Sequence, residues 1–397
     1  MVIDPDLFFA ATQVAGISIA CLAALLALSQ RGARPLKATL VLFFVALALS
    51  EAESVAEIVM HEMPQTFGDT LRAFSFACNF FVAPLFLFHV RFLTGASRAS
   101  SHRYGLHAHF ALPMLAIAVS LWFLALPEDL RAQMNEGVQF EVLPIGAQAV
   151  VLSLIALEFL IYIQWLVYVV WVFRQQVRHL ARLKQHFAST DGLEMRWVTV
   201  LSSVLGLYSL LSLAGFVLSI MGLEDPIGRE LDSSLVLVLV ILLALWGLRP
   251  SVGFEEASRT IANSDEGRAS KYEKSALALD QADRIARKLV AAMSRDRLYR
   301  DPTLTLASLS KHVGVSTNYV SQTLNEHLGQ SFFDFVNGWR VQEAIPLVEQ
   351  SDQTVLSIAY EVGFNSRSSF YTAFRKKTGL TPSAFKAKQA VSRSVQL

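Results

Sequence analysis

Cysteine and charge are both scarce in this chain of 397 residues. The two cysteines, Cys21 and Cys78, each lie within an apolar run, so a disulfide framework is excluded. Charged residues make up 17% of the sequence, against about 25% in an ordinary soluble domain. Hydrophobic residues make up 53%, and the mean hydropathy is +0.42. These values exclude a wholly soluble enzyme.

The low charge density is confined to the first part of the chain. Residues 1–250 carry 15 Lys or Arg and 18 Asp or Glu, whereas the shorter stretch 251–397 carries 19 and 15. We therefore predict an all-α protein with a membrane domain over 1–250, a polar linker over 251–276 and a soluble domain over 277–390. A membrane protein without a soluble domain is also excluded.

Apolar stretches long enough to cross a bilayer, about 20 residues each, occur seven times. The predicted spans are 7–29, 38–60, 70–93, 106–126, 146–173, 197–221 and 231–248. Lys and Arg collect in cytoplasmic loops. Twelve of them follow the first, third, fifth and seventh spans, and three lie on the other side. We therefore expect an N-terminus outside, a cytoplasmic C-terminus and contact with the lipid bilayer.

Ionisable groups inside a membrane are costly and suggest a function. Glu51 and Glu158 are predicted to lie near mid-bilayer, and Asn79 adds a polar group in the third span. Glu53 and Glu57 share a helix face because they are four residues apart. These residues could line an outward-opening pocket for a cationic or hydrogen-bonding signal molecule. The alternative is that protonated carboxyls tie helices together. The pattern of residues 1–250 predicts neither a metal ion nor a cofactor.

Two stretches of the soluble part share one organisation. In residues 304–324 a short amphipathic helix ends at Gly314 and a second helix begins after Ser316. In residues 355–374 Gly363 and Ser366 take the same places, with a turn one residue longer. Helix, glycine turn and capped helix together predict a helix-turn-helix unit. Residues 332–349 are predicted to form the helix that connects the two units.

The charge of this region favours a nucleic-acid partner. Residues 280–397 contain 15 Lys or Arg and 10 Asp or Glu, a net charge of +5. After Glu361 the sequence contains no acidic residue. A basic stretch of this kind suits contact with phosphates.

Residues 358–386, IAYEVGFNSRSSFYTAFRKKTGLTPSAFK, resemble the signature of the AraC/XylS family of bacterial transcription regulators. The upstream run LTLASLSKHVGVSTNYVSQTLNEHLGQSFFDFVNGWRVQEA resembles the same family. The resemblance covers about residues 277–390. It implies two helix-turn-helix units that read successive major-groove segments of double-stranded DNA, and a bacterial cytoplasmic membrane. Pro346 departs from the family pattern and is expected to shorten or kink the connecting helix.

The resemblance also implies which side chains contact DNA. Exposed positions near the start of each reading helix reach base edges, and nearby lysines contact phosphates. The expected base-reading residues are Asn318, Ser321 and Gln322 in the first unit and Arg367, Ser368 and Thr372 in the second. Lys376 and Lys377 are expected phosphate contacts, and Arg340 of the connecting helix is counted with the DNA-binding residues.

Together these features predict a membrane-bound transcription regulator rather than an enzyme. A signal at the membrane domain would change DNA occupancy, and two tethered chains could bind as a homodimer with raised effective concentration. Two alternatives stay open. The membrane domain could be a transporter or enzyme with an autoregulatory DNA-binding domain, or it could be only an anchor.

Overall fold

A computed structural model describes the residues 5–29, 34–52, 64–95, 107–136, 138–223, 228–248, 279–350 and 352–394. Over these residues the secondary structure is helical, with no β-strand beyond one isolated bridge between Phe187 and Thr305. The all-α prediction is confirmed. The chain forms two units, an N-terminal unit (Met1–Gln176 and Met195–Val252) and a C-terminal unit (Val177–Glu194 and Gly253–Leu397). The predicted linker 251–276 lies outside the described residues.

The described part of the N-terminal unit is helical, and most of its helices are apolar. Their bounds are α1 Pro5–Ser29, α2 Arg34–Ser50, α3 Gln65–Leu93, α4 Ala111–Leu124, α5 Glu128–Asn135, α6 Ile145–His186, α7 Arg196–Ile220 and α8 Gly228–Gly247. Helix α6 also enters the C-terminal unit, since that unit begins at Val177. At about 1.5 Å per residue, its 42 residues measure about 63 Å, roughly twice the ~30 Å of a hydrocarbon core.

Four described helices, α1, α3, α6 and α7, are long and apolar enough to cross a membrane. A fifth candidate is the pair α4 and α5, which meet at an angle of 111°. Of the predicted second span, the described part is α2 and residues 51–52, and the seventh corresponds to the shorter apolar stretch Leu231–Gly247. Several spans are therefore supported, and the count of seven stays a prediction.

Helix packing in the N-terminal unit combines apolar contacts with a few buried polar pairs. Helix α2 packs against α1 and α3, and α1 also packs against α8. Phe80 of α3, Ala116 of α4 and Leu157 of α6 share one apolar cluster. Near the start of α3, the carboxylate of Asp69 is 1% exposed and forms a 2.7 Å ion pair with Arg131. The two buried charges neutralise each other, as burial requires.

From Leu279 onward, the described residues of the C-terminal unit contain seven α-helices. Their bounds are α9 Leu279–Ser294, α10 Leu306–Val313, α11 Thr317–Gln322, α12 Phe332–Gln350, α13 Val355–Glu361, α14 Arg367–Thr378 and α15 Pro382–Ser394. Residues 277–278 of the predicted soluble domain lie outside the described residues. The order α10, turn, α11 and the order α13, turn, α14 are the two predicted helix-turn-helix units.

Local sequence explains where these helices begin. Thr305 caps α10 by accepting a hydrogen bond from the backbone N–H of Ser308, whose side chain accepts in return from the N–H of Thr305. Thr354 caps α13, and Ser366 caps α14 by accepting from the N–H of Ser369. Such caps satisfy backbone donors that a helix start would otherwise leave unpaired.

The two turns make different demands on glycine. Gly314 has φ +65° with open space around its Cα. Gly363 has φ +97°, and an added Cβ there would lie 2.6 Å from the carbonyl oxygen of Tyr299 and 2.8 Å from that of Arg300. The second turn therefore requires glycine both for its backbone conformation and for the close approach of the 299–300 backbone.

Helix α12 connects two apolar cores, as predicted for 332–349. Its first turns place Phe332 and Val336 in a core with α9, α10 and α11, and its last turns place Ala344 and Val348 in a core with α13 and α14. Pro346 lies inside this helix. The expectation that proline shortens the helix was wrong, because the helix continues to Gln350 and the proline ring lies on the exposed side.

Residues 187–194, which connect α6 to α7, belong to the C-terminal unit although the sequence placed them in the membrane domain. We call this segment the docked loop. Ala188 is 1% exposed and packs in the same core as Ile285 and Leu289. Its N–H donates to the carbonyl oxygen of Leu304 over 3.2 Å. The core of the C-terminal unit is thus completed by a segment about 100 residues earlier in the chain.

Candidate nucleic-acid interface

The second reading helix, α14, presents three of the expected residues to solvent. Arg367, Ser368 and Thr372 are all exposed, while Phe370 and Phe374 on the opposite side are fully buried. The burial of the two phenylalanines fixes which face of the helix points outward. This exposed face is the surface that a major groove could contact.

Arg367 is held in a defined position on this face. Its guanidinium carbon lies 4.8 Å from the ring centroid of Tyr371, one helical turn later, and its Nη2 donates to the Tyr371 hydroxyl over 3.0 Å. Hydrogen bonding to Ser383, and then to Arg367, lowers the pKa of Tyr371. A stacked, pre-oriented guanidinium suits bidentate recognition of guanine. Sequence reasoning missed Tyr371, although an aromatic four residues after an arginine was a usable signal.

Thr372 presents a different chemistry beside the arginine. Its hydroxyl donates to the carbonyl oxygen of Ser368 in its own helix, over 2.9 Å. Because the hydroxyl proton is used internally, the side chain offers its methyl group and its acceptor lone pairs to a ligand. A threonine methyl is a suitable contact for the methyl group of thymine.

The first reading helix, α11, differs from the expectation. Ser321 is 4% exposed, and its hydroxyl oxygen accepts from Asn325 over 3.3 Å. The structure therefore corrects its assignment: Ser321 faces the interior and does not present itself to a base edge. Asn318 and Gln322 are half-buried. The Gln322 amide donates to the Glu326 carboxylate over 2.8 Å, so an adenine contact would have to replace that bond.

Two of the expected phosphate contacts lie at the end of α14. Lys377 is exposed. The Lys376 side chain is 70% exposed and its Nζ lies 2.7 Å from the Asp334 carboxylate. An exposed pair of this kind is worth little in free energy, so a phosphate can replace Asp334 at low cost. Phosphate contact by Lys376 and Lys377 stays a prediction.

Arg340 has a structural role that the sequence did not reveal. It is fully buried in α12, where its guanidinium donates to the carbonyl oxygens of Tyr299, Asp301 and Ala188. Burial lowers the pKa of Arg340 to about 10, with the carboxylates of Asp301 and Asp191 acting in the opposite direction. The group is thus charged at neutral pH but inaccessible. Its assignment as a DNA-binding residue is corrected.

The expected signal-sensing residues lie together in the N-terminal unit. Glu51, Asn79 and Glu158 all line one cavity of about 400 Å³ between α2, α3, α6, α7 and α8, together with Tyr208. The fourth expected residue, Glu53, and its neighbour Glu57 lie outside the described residues. Three side chains that are far apart in the sequence thus face one space.

Over the part of the chain that the structure describes, no three His, Cys, Asp or Glu side chains could together hold a metal ion. His109 and Tyr168 are both buried, and the Nδ1 atom of the histidine lies 2.6 Å from the hydroxyl oxygen of the tyrosine. This contact joins α6 to the residue pair that precedes α4. Packing and hydrogen bonding within the helical bundle therefore account for the presence of His109.

Two helix-turn-helix units on one connecting helix, with an exposed basic reading helix, define the class of this domain. The C-terminal unit is an AraC-type helix-turn-helix domain of the kind found in transcription regulators. A family described as "Helix-turn-helix domain" matches residues 309–388. The chain therefore carries an AraC-type helix-turn-helix domain together with apolar helices that could span a membrane.

Similar proteins match over a stretch of about the same length as the family match. An uncharacterised HTH-type transcriptional regulator of Staphylococcus aureus is 35% identical over 83 residues, which are 21% of this chain and 11% of that protein. The melibiose operon regulatory protein of Escherichia coli is 27% identical over 86 residues, 22% of this chain and 28% of that one. This chain thus spans about a tenth to a quarter of the length of these relatives.

Among solved structures, the C-terminal domain of AraT, a response regulator from Geobacillus stearothermophilus, is 25% identical. It covers 29% of this chain and 88% of its own, with a TM-score of 0.24. The C-terminal domain of the response regulator yesN from Fusobacterium nucleatum is also 25% identical, with coverages of 27% and 98% and a TM-score of 0.23.

Proposed function

We propose that this protein is a sequence-specific transcription regulator of the bacterial cytoplasmic membrane, in which a signal received by the N-terminal unit changes the occupancy of promoter DNA. The observation that carries the proposal is the exposed face of α14, with the stacked Arg367 beside Ser368 and Thr372. This face occurs in the same chain as several helices long enough to cross a bilayer.

The direct test uses the full chain in lipid nanodiscs. We expect it to enrich a defined sequence from a random duplex library. We also expect the logarithm of the binding constant to fall linearly with the logarithm of the salt concentration, since Lys and Arg displace counterions from phosphates. A chain that retains no duplex at low salt, or that enriches no sequence, would contradict the proposal. Mapping occupied sites on the chromosome would then identify the regulated genes.

The 400 Å³ cavity supports the sensing part of the proposal. Its size suits a small molecule, and two carboxyl groups with Asn79 and Tyr208 around it suit a cationic or hydrogen-bonding one. Glu51→Gln and Glu158→Gln keep the shape of the cavity and remove the charge. We expect these variants to bind DNA normally in nanodiscs but to change the expression of a reporter gene in cells.

The same cavity also keeps a transporter role open. The two functions differ in what the Glu51→Gln variant changes. If Glu51→Gln changes reporter expression but not the uptake of cationic solutes, the sensor role is supported. Lost uptake with normal reporter expression supports a transporter that carries its own regulator. Normal uptake and normal expression in both variants would indicate that the membrane helices serve only as an anchor.

Two chains in one membrane would bind more tightly than one. A single pair of helix-turn-helix units contacts a short DNA segment, and tethering to a surface raises the effective concentration of a second chain. We therefore propose a homodimer on DNA. Nanodiscs that hold one chain are expected to bind the selected duplex more weakly than nanodiscs that hold two.

A further inference from the structure

The docked loop, residues 187–194, touches both helix-turn-helix units at once. At its start, Phe187 forms a bridge with Thr305, the cap of α10. The N–H of Ala188 donates to Leu304, and its carbonyl oxygen accepts from Asn337 and Arg340 of the connecting helix, over 3.2 and 3.3 Å. The first half of the loop is thus fixed to the first unit and to α12.

The second half of the loop reaches the start of the second reading helix. One carboxylate oxygen of Asp191, Oδ1, accepts hydrogen bonds from the hydroxyl of Ser366 over 3.1 Å and from that of Ser369 over 2.6 Å. Its other oxygen, Oδ2, accepts from Ser189 within the loop over 3.1 Å. Ser366 caps α14 and Ser369 lies one turn later. The loop therefore holds the start of α14 through charge-assisted hydrogen bonds to Oδ1, while Oδ2 bonds within the loop.

These contacts leave the base-reading face of α14 open. Ser366 and Ser369 are half-buried, whereas Arg367, Ser368 and Thr372 are exposed. A carboxylate at a helix N-terminus also interacts favourably with the helix dipole. Asp191 therefore contacts the reading helix from the side and does not occupy the surface that a major groove would fill.

We propose that Asp191 is a positioning residue that sets the placement of the second reading helix relative to the first, and thereby the spacing of DNA half-elements that the chain accepts. The loop continues directly from α6, which lines the cavity of the N-terminal unit through Glu158. It follows that a displacement of α6 would be passed to α14 through this segment. This inference rests on the proposed DNA-binding function and names the route of its regulation.

The experiment measures spacing preference on the full chain in nanodiscs. The duplex selected by the unmodified chain is rebuilt with one or two base pairs added or removed between its two half-elements. For the unmodified chain we expect one optimal spacing. For Asp191→Ala we expect the preference for that spacing over its neighbours to fall by about tenfold, because hydrogen bonds to a charged group are lost.

A matched control separates positioning from charge. Glu194 lies in the same loop, and its carboxylate accepts a hydrogen bond from Thr190 inside the loop. Glu194→Ala removes the same negative charge, so it should raise the affinity for duplexes of every spacing by about the same factor. The spacing preference should then stay intact. The conservative variant Asp191→Asn keeps an oxygen that can accept from both serines, and it is expected to restore most of the preference.

Ser369→Ala approaches the same contact from the other side. Its effect on spacing preference should not add to that of Asp191→Ala, since both variants break the same hydrogen bond between Ser369 and Asp191. Spacing profiles of Asp191→Ala and Ser369→Ala that coincide with that of the unmodified chain would overturn the proposal while leaving DNA binding intact. An unmodified chain that selects no sequence would instead refute the proposed function itself.

Discussion

At the scale of single residues, the side of α14 on which a residue lies decides whether we expect it to recognise DNA or to position the helix. Arg367 stacks on Tyr371 and faces outward, while Ser369 binds Asp191. The expected phosphate contacts form a third group at the end of the helix, where Lys377 is exposed. Each group should therefore show a different signature in binding experiments.

Replacing Arg367 by alanine should change which sequences are bound. A bidentate arginine–guanine contact discriminates against other bases by about 1–3 kcal/mol, so we expect Arg367→Ala to relax the preference at one position of the selected site. Lys377→Ala should instead weaken binding to all sequences alike. It should also reduce the slope of the logarithm of the binding constant against the logarithm of the salt concentration by about 1. Binding-site selection together with salt titrations measures both effects. The opposite pattern in the two variants would contradict the assignment.

The two turn glycines should differ in their sensitivity to substitution. Gly314→Ala adds a Cβ in open space and should cost about 1–2 kcal/mol, the penalty of the left-handed conformation. Gly363→Ala adds a clash with two carbonyl oxygens, so the local free energy of unfolding should fall by at least about 3 kcal/mol. Native-state hydrogen exchange of α10 and α13 measures both. Equal losses of local unfolding free energy in the two helix-turn-helix units would show that the close backbone approach at Gly363 is unimportant.

At the scale of elements, α12 is the axis of the C-terminal unit. It supplies side chains to both apolar cores, and the buried Arg340 ties it to the 299–301 backbone and to the docked loop. From the sequence, an arginine at this position is predicted to contact DNA, because basic residues in a DNA-binding domain are usually exposed. Its burial depends on three carbonyl groups that come from distant segments, which no local pattern contains.

Pro346 should weaken α12 without interrupting it. A proline inside a helix removes one backbone hydrogen bond, and here the ring is exposed, so an alanine would fit without a clash. We expect Pro346→Ala to raise the local free energy of unfolding of α12 by about 1–3 kcal/mol. Hydrogen exchange of residues 341–350 measures this change. Unchanged or faster exchange would mean that the proline itself contributes to packing in the second core.

Element positions followed from sequence where the pattern was local. The glycine turns, the cap at Ser366 and the inward faces with Val320 and Phe370 were all predicted and are found in the structure. Ser316 occupies the N-cap position of α11, but its side chain makes no capping hydrogen bond there. The same reasoning failed for Ser321, whose burial depends on the exact rotation of a short helix. It also missed the docked loop, because Asp191 and Ser369 are joined only by the tertiary fold.

At the scale of the whole molecule, one contact and one charge pattern together predict on which side of a membrane the C-terminal unit lies. Ala188 lies in the core of that unit, so the C-terminal end of α6 and the DNA-binding helices must share a compartment. The segment around this end is rich in arginine and lysine, with Arg174, Arg178, Arg182, Lys184 and Arg196. Because such segments stay in the cytoplasm, the shared compartment is predicted to be the cytoplasm.

The same contact predicts how the chain continues after the docked loop. Both ends of the stretch from Glu194 to Leu279 belong to the same unit, so an even number of crossings separates them. Helix α7 is long enough to leave the cytoplasm. Helix α8, with 20 residues and about 30 Å of length, is just long enough to return. The shorter apolar stretch Leu231–Gly247 is therefore predicted to be a full span.

Protease access to membrane vesicles tests this topology. An epitope tag at the C-terminus should be digested in inverted vesicles and protected in right-side-out vesicles. A second tag, inserted between α7 and α8, should show the reverse pattern, because it lies after one crossing. Digestion of both tags from the same side would mean that one of these two helices does not cross. Digestion of the C-terminal tag in right-side-out vesicles would separate the reading helices from the chromosome and refute the proposed function.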